Sequence, residues 1–202
     1  MSPTKQRILD QALRLFNTEG FGQMSLGRLG QALGMSKGNL AYHFANTGVI
    51  LEALHAQMVS EMEGRVRPAG SPTLAHFAGF FRYFESFRTR YRFFFLEWSD
   101  ILRRFPAIQA QQAEVVARRQ AEGRSLLTYY IGAGWVQPEA QPGAYDRLIY
   151  TIWMTQTFWL AAELVDRRHA SGLRLCWQLL EPYFTPAGRA AFAALPETDR
   201  QA

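Results

Sequence analysis

The sequence has 202 residues, 48% hydrophobic and 19% charged, a balance that builds a buried core and excludes a disordered chain. Its formal charge of +5 identifies no partner by itself, but in residues 1–48 Lys5, Arg7, Arg14, Arg28 and Lys37 face only Asp10 and Glu19, so the N-terminal end suits an anionic surface. The lone Cys176 excludes an internal disulfide, no apolar segment follows Met-Ser-Pro-Thr-Lys-Gln-Arg, and the longest uncharged stretch, Leu148–Ala162, is shorter than the ~20 residues of a membrane helix. A cytoplasmic protein without a membrane span is expected.

Helical periodicity runs through the chain, and alternating strand patterns are nearly absent. The first helix is predicted from about Thr4 to Glu19, with Ile8, Leu9, Ala12, Leu13 and Phe16 on one stripe and Gly20 as its stop. Ser25 is placed to cap a short second helix, with Leu26, Leu29 and Leu33 inward and Gly34 at its end, and Ser36 to cap a third through about Phe44. A fourth runs from Thr47 or Gly48 to about Arg67 until Pro68-Ala-Gly-Ser-Pro72 breaks it. Further helices are predicted near 73–89, 91–104, 106–131, 143–168 and 172–184, and 186–202 reads as a frayed tail with a short helical piece. The expected division is a small domain at 1–48, the fourth helix (about 47–67) as a link, and a larger helical domain at 68–202.

Two short helices joined by Gly34-Met35-Ser36 have the dimensions of a helix-turn-helix. At 100° per residue, Leu40 and Phe44 share one side of the third helix, whereas Asn39, Tyr42 and His43 share the other, with Lys37 and Gly38 at its start. An amide, a phenol, an imidazole and an ammonium suit phosphates and base edges, and Gly38 permits close backbone approach. Periodicity alone is equally consistent with a small polar helix in a bundle.

The residues themselves go further. Ile8-Leu-Asp-Gln-Ala-Leu-Arg-Leu-Phe16 with Gly20-Phe21, Ser25-Leu-Gly-Arg-Leu-Gly-Gln-Ala-Leu33 and Gly34-Met-Ser-Lys-Gly-Asn-Leu-Ala-Tyr-His-Phe44 closely resemble, over about residues 4–55, the DNA-binding domain of the TetR family. The resemblance implies an all-α fold: an N-terminal three-helix DNA-binding domain with a helix-turn-helix, and a larger helical domain that binds a ligand and dimerises. It also implies a transcriptional regulator, a repressor before an activator, released from a near-palindromic double-stranded operator by a small-molecule effector, which the aromatic density of the C-terminal part makes hydrophobic or aromatic. By position, Ser25 and Arg28 fall on the second helix, Lys37, Gly38 and Asn39 at the start of the recognition helix, and Tyr42 and His43 on the pair near its end that contacts the DNA backbone. A Lys frequent in the family just before the fourth helix is replaced here by Ala45-Asn46-Thr47-Gly48, leaving Thr47 as a cap and a phosphate contact through backbone N–H groups.

The C-terminal part must be read from its own residues. The segment Tyr145–Arg168 is apolar around most of its circumference, which calls for burial on two sides and therefore for a second copy of the chain. Ile152, Trp159, Leu160 and Leu164, with Leu173, Trp177 and Leu180 of the following helix, are the expected two-fold interface. The rings of Phe84, Phe87, Tyr91, Phe94, Trp98, Tyr129, Tyr130, Trp135 and Trp153 are able to surround a flat or apolar ligand, although each taken singly reads first as core. Glu97 and Asp100 read as partners of Arg103 or Arg104, or as a seat for a cationic ligand. His55, His76 and His169 lack metal-ligand spacing, and the sequence carries no catalytic motif, so no metal, cofactor or enzymatic activity is expected. Two other readings remain open on sequence: a DNA-bound regulator controlled by a protein partner, and an all-helical enzyme.

Overall fold

The computed structural model describes residues 2–63, 71–166 and 171–201. Among them the chain forms α1 (Pro3–Glu19), α2 (Leu26–Leu33), α3 (Lys37–His43), α4 (Thr47–Glu63), α5 (Leu74–Arg90), α6 (Arg92–Leu96), α7 (Trp98–Arg104), α8 (Pro106–Gly132), α9 (Ala144–Glu163), α10 (Gly172–Leu180), α11 (Pro186–Ala193) and α12 (Glu197–Gln201). No strand occurs among the described residues, and no helix is long and apolar enough to cross a membrane. The all-α architecture expected from the helical periodicity is the one observed. The predicted last turn of the fourth helix (64–67), residues 68–70 of the predicted break, and residues 167–170, which include His169, lie outside the described residues.

Contacts gather the chain into two compact units, Met1–Gly64 with Arg90–Gln112, and Arg65–Thr89 with Ala113–Ala202. The first unit therefore takes a later segment that the expected division at 68–202 gave to the other domain. Side chains of the N-terminal helix account for this. Asn17 Nδ2 donates to the Arg90 carbonyl (2.8 Å), and its Oδ1 accepts from Phe93 N (3.1 Å). Phe16 meets both Phe21 and Phe93 at 5.2 Å between ring centroids. Glu97 Oε1 accepts from Phe21 N at 2.8 Å, and the predicted helix 91–104 is divided at Glu97 into α6 and α7. Asp100 pairs with Arg103 and Arg104 (3.2 and 3.1 Å).

In the second unit α5, α8, α9 and α10 enclose a core centred on Trp177, whose ring lies 4.6 Å from Phe77 and 4.9 Å from Phe192. The predicted frayed tail is instead two packed helices. Thr185 caps α11, accepting from Gly188 N at 3.0 Å, and Pro186 stands at its start, where a missing N–H costs nothing. Beyond α11, the Asp199 carbonyl accepts from Trp177 Nε1 (2.7 Å) and its carboxylate pairs with Arg82 (2.8 Å). An isolated antiparallel bridge joins Val136 to Phe184, flanked by Gln137 N to Tyr183 O (2.9 Å) and Thr185 N to Trp135 O (3.0 Å). There a Cβ at Gly188 would stand 1.9 Å from the Trp135 carbonyl oxygen.

Candidate nucleic-acid interface

Capping fixes the start of each short helix. Ser25 Oγ accepts from Arg28 N and Ser36 Oγ from Asn39 N, both at 3.1 Å, so one orphan donor of each first turn is satisfied locally. Between the helices Gly34 adopts φ 65°, a left-handed conformation that favours glycine, and Met35 N donates to the Gly30 carbonyl at 2.9 Å. A Cβ at Gly30 would lie 2.6 Å from the Met35 carbonyl oxygen and 3.2 Å from Leu40 Cδ1. This glycine sets how closely α3 approaches α2. Its position inside an amphipathic helix was the available sequence signal, and sequence reasoning passed over it.

The two sides of α3 differ as its spacing required. Leu40 is fully buried and Phe44 is buried beside it, with Lys5 Nζ 5.8 Å from the Phe44 ring centroid. Lys37, Gly38 and Asn39 are exposed, and Tyr42 is 86% exposed. His43 is half-buried, its ring edge-on to Tyr42 at 5.2 Å. Thr47 is already inside α4, and the cap is Asn46, whose Oδ1 accepts from Val49 N (3.0 Å) while its carbonyl accepts from Ile50 N (3.4 Å). The expectation that Thr47 is the cap is thereby corrected by one residue. Arg28 is not a bare cation either: its Nη2 and Nε hold both Glu19 carboxylate oxygens (2.7 and 3.2 Å). That bond lowers the Glu19 pKa and raises that of Arg28.

The rings proposed to surround a ligand fall in both units. Tyr91, Phe94 and Trp98 belong to the first, where Tyr91 is buried with its hydroxyl donating to Glu61 Oε2 (2.8 Å) and Phe94 packs on His55 and Trp98 at 5.2 and 5.3 Å. The second unit holds the pair Phe84 and Phe87 (5.9 Å), the group of Tyr129, Tyr130 and Trp135, and Trp153 against Tyr150 (5.3 Å). Tyr130 is fully buried, donates to the Thr73 carbonyl (2.9 Å), and has its pKa raised by burial.

Leu173, Trp177 and Leu180, expected at a two-fold interface, are fully buried in the core of their own chain, and Trp159 is buried as well. Ile152 and Leu160 are half-buried, and Leu164 is exposed. The exposed large apolar side chains of α9 are Tyr150, Met154 and Phe158, at 47, 42 and 37% exposure and one turn apart. Hydropathy shows that α9 is apolar all round but not which side its own core uses. Among the described residues no group of three or more His, Cys, Asp or Glu side chains is placed to hold a metal ion.

Two capped short helices locked at a glycine, with polar groups on the open face of the second, define a helix-turn-helix DNA-binding protein. A profile described as bacterial regulatory proteins of the tetR family matches residues 8–54, and one described as TetR, bacterial transcriptional repressor, matches residues 57–192. The chain belongs to the TetR family of DNA-binding transcriptional regulators. The regulator AcrR of Shigella flexneri is 46% identical over 41 residues, 20% of this chain and 19% of that protein, so the match spans about a fifth of the curated relative. A TetR-family regulator from Marinobacter aquaeolei VT8 superposes with a TM-score of 0.87 at 22% identity, covering 95% of this chain and 97% of that one. The ketosteroid regulator KstR2 of Mycobacterium tuberculosis gives 0.66 at 16% (92% and 97% covered), and SmeT in complex with triclosan 0.62 at 17% (93% and 94%). At these identities the likeness is one of fold.

Proposed function

We propose that the chain is a cytoplasmic, homodimeric repressor with no catalytic activity, which binds a near-palindromic double-stranded operator through α3 of each protomer and leaves it when a small apolar or aromatic molecule binds the second unit. The observation that carries this reading is the open face of α3, where Tyr42 stands 86% exposed beside Lys37, Gly38 and Asn39 while Leu40 is fully buried. A phenol held out in water on a seven-residue helix, edge-on to the adjacent His43 ring, contributes little to packing, and its hydroxyl is suited to a phosphate oxygen. Ser25 keeps a hydroxyl proton for a second phosphate, since its oxygen only accepts from Arg28 N. The apolar row Tyr150, Met154 and Phe158 supports a second copy of the chain on α9. That SmeT is described in complex with triclosan supports a small-molecule effector.

The test is selection of bound duplexes from a random pool by the purified protein, followed by sequencing. Two inverted half-sites, spaced by about one helical turn or a multiple of it, are expected. Selected DNA without inverted symmetry, or no enrichment at all, would overturn the reading.

A further inference from the structure

The second unit holds a buried cation with no carboxylate against it. Arg88 on α5 is 3% exposed, and its Nη1 donates to the Gln156 carbonyl (3.2 Å) and to Gln156 Oε1 (2.9 Å). Its Nε is buried without a hydrogen-bond partner. Among the described residues no Asp or Glu oxygen reaches it within the 4.0 Å of an ion pair. The nearby carboxylates are turned to other groups: Glu85 Oε1 accepts from Ser171 Oγ and Leu173 N, both at 3.3 Å, and Glu163 Oε1 from Trp159 Nε1 at 2.7 Å. Gln156 is itself committed, its Nε2 donating to the Gly172 carbonyl (2.8 Å) and Cys176 Sγ (2.9 Å). Burial lowers the pKa of the guanidinium, with Glu85 and Glu163 opposing through their charge.

A guanidinium removed from water is costly unless an opposite charge or a full set of acceptors meets it. Both hydrogen bonds here fall on one of its three nitrogens, leaving the Nε–Nη2 edge, whose parallel N–H groups match the two oxygens of a carboxylate. Beside the charge stand apolar faces. The centroids of Phe84 and Trp159 lie 6.0 and 5.7 Å from the guanidinium carbon, and Phe87 stacks on Phe84 at 5.9 Å. An inorganic anion would meet the charge alone, whereas an organic acid would also set apolar surface beside these rings. We propose that Arg88 anchors an effector site for small organic carboxylates, with the carboxylate on the Nε–Nη2 edge and the apolar remainder against Phe84, Phe87 and Trp159. The inference rests on the effector-controlled reading above and narrows its ligand from any apolar molecule to an organic acid.

The test is calorimetric titration of the intact protein, at constant ionic strength, with benzoate, phenylacetate and octanoate, each beside its primary amide, and with sodium phosphate as the inorganic arm. At least one acid is expected to bind saturably and its amide about ten- to a hundredfold more weakly, the factor a charge-assisted pair of hydrogen bonds supplies. Arg88→Gln should erase the preference for acid over amide, Arg88→Lys should keep part of it, and phosphate should not displace the acid. Equal binding of acid and amide, saturable binding by none of the acids, an acid preference that survives Arg88→Gln, or displacement by phosphate would each overturn the proposal. The acid–amide comparison on the parent chain decides even where a variant fails to fold. Operator release is read separately: acids that bind through Arg88 without releasing DNA overturn the effector-controlled function and leave the site, whereas neutral molecules that release DNA with no preference for acids do the reverse.

Discussion

Tyr42 and Tyr130 are the same residue placed under opposite conditions. Tyr42 is almost wholly in water on α3, while Tyr130 is fully buried with its hydroxyl tied to the Thr73 carbonyl. An aromatic left in water beside the His43 ring buries little area in its own fold, and on a helix-turn-helix the proposed reason for it is a DNA backbone. An aromatic inside a core already has its reason in buried area. The face proposed to read DNA is therefore visible as an exception to packing, whereas a ring proposed to contact a ligand in the second unit looks like any other core ring until a buried charge such as Arg88 singles it out.

The contrast breaks first at two glycines. Gly188→Ala forces a methyl into the Trp135 carbonyl, 1.9 Å away, so urea unfolding of the second unit should show a loss of about 3 kcal/mol; Gly30→Ala meets Met35 O at 2.6 Å and should cost about 1–2 kcal/mol, with loss of DNA binding because α3 is pushed off α2. Next in size, Met154→Arg puts like charges into a desolvated seam if Tyr150, Met154 and Phe158 meet a second copy. Sedimentation should show the dimer shifted to folded monomer, and an unaltered dimer would move the interface elsewhere. Smaller again, Lys37→Ala and Tyr42→Phe should each weaken operator binding by about tenfold with the fold intact, and Lys37→Ala should flatten the salt slope by ~1 unit. Arg28→Met should weaken it less, since Glu19 already holds that guanidinium.

The smallest effect concerns Cys176, whose thiol is pushed up to about 12 from 9.0, chiefly by burial. It should resist alkylation at pH 8 in the folded protein and react once denatured. Because the folded pKa is raised, the stability tied to the bound proton is fully present below about pH 9 and declines as pH rises from there towards 12.

Helices whose limits are set by local chemistry were legible: Ser25 and Ser36 as caps, Gly20 and Gly34 as stops, and the opposed sides of α3 all follow from adjacent residues. What was not legible depends on residues distant in sequence. Asn17 and Glu97 draw α6 and α7 to the N-terminal helices through bonds spanning more than seventy positions, and no periodicity records them. Trp177 and Leu180 had the pattern of an interface because a helix turned to its own core and one turned to a partner present the same apolar spacing. Residues 186–201 read as frayed because their anchors lie far off in sequence: Phe192 packs on Trp177, and Asp199 accepts from Trp177 through its carbonyl and pairs with Arg82 through its carboxylate.

The Val136–Phe184 bridge has a kinetic consequence. It fastens the turn after α8 to the turn before α11 across the whole of α9 and α10, so its bonds form only after a long loop of chain has closed. Contacts of that kind are expected on the late side of the folding barrier. Loosening them should then speed unfolding and leave the refolding rate almost unchanged, which the two arms of a chevron read, so that this small clasp would govern how long the folded second unit persists more than how fast it is made.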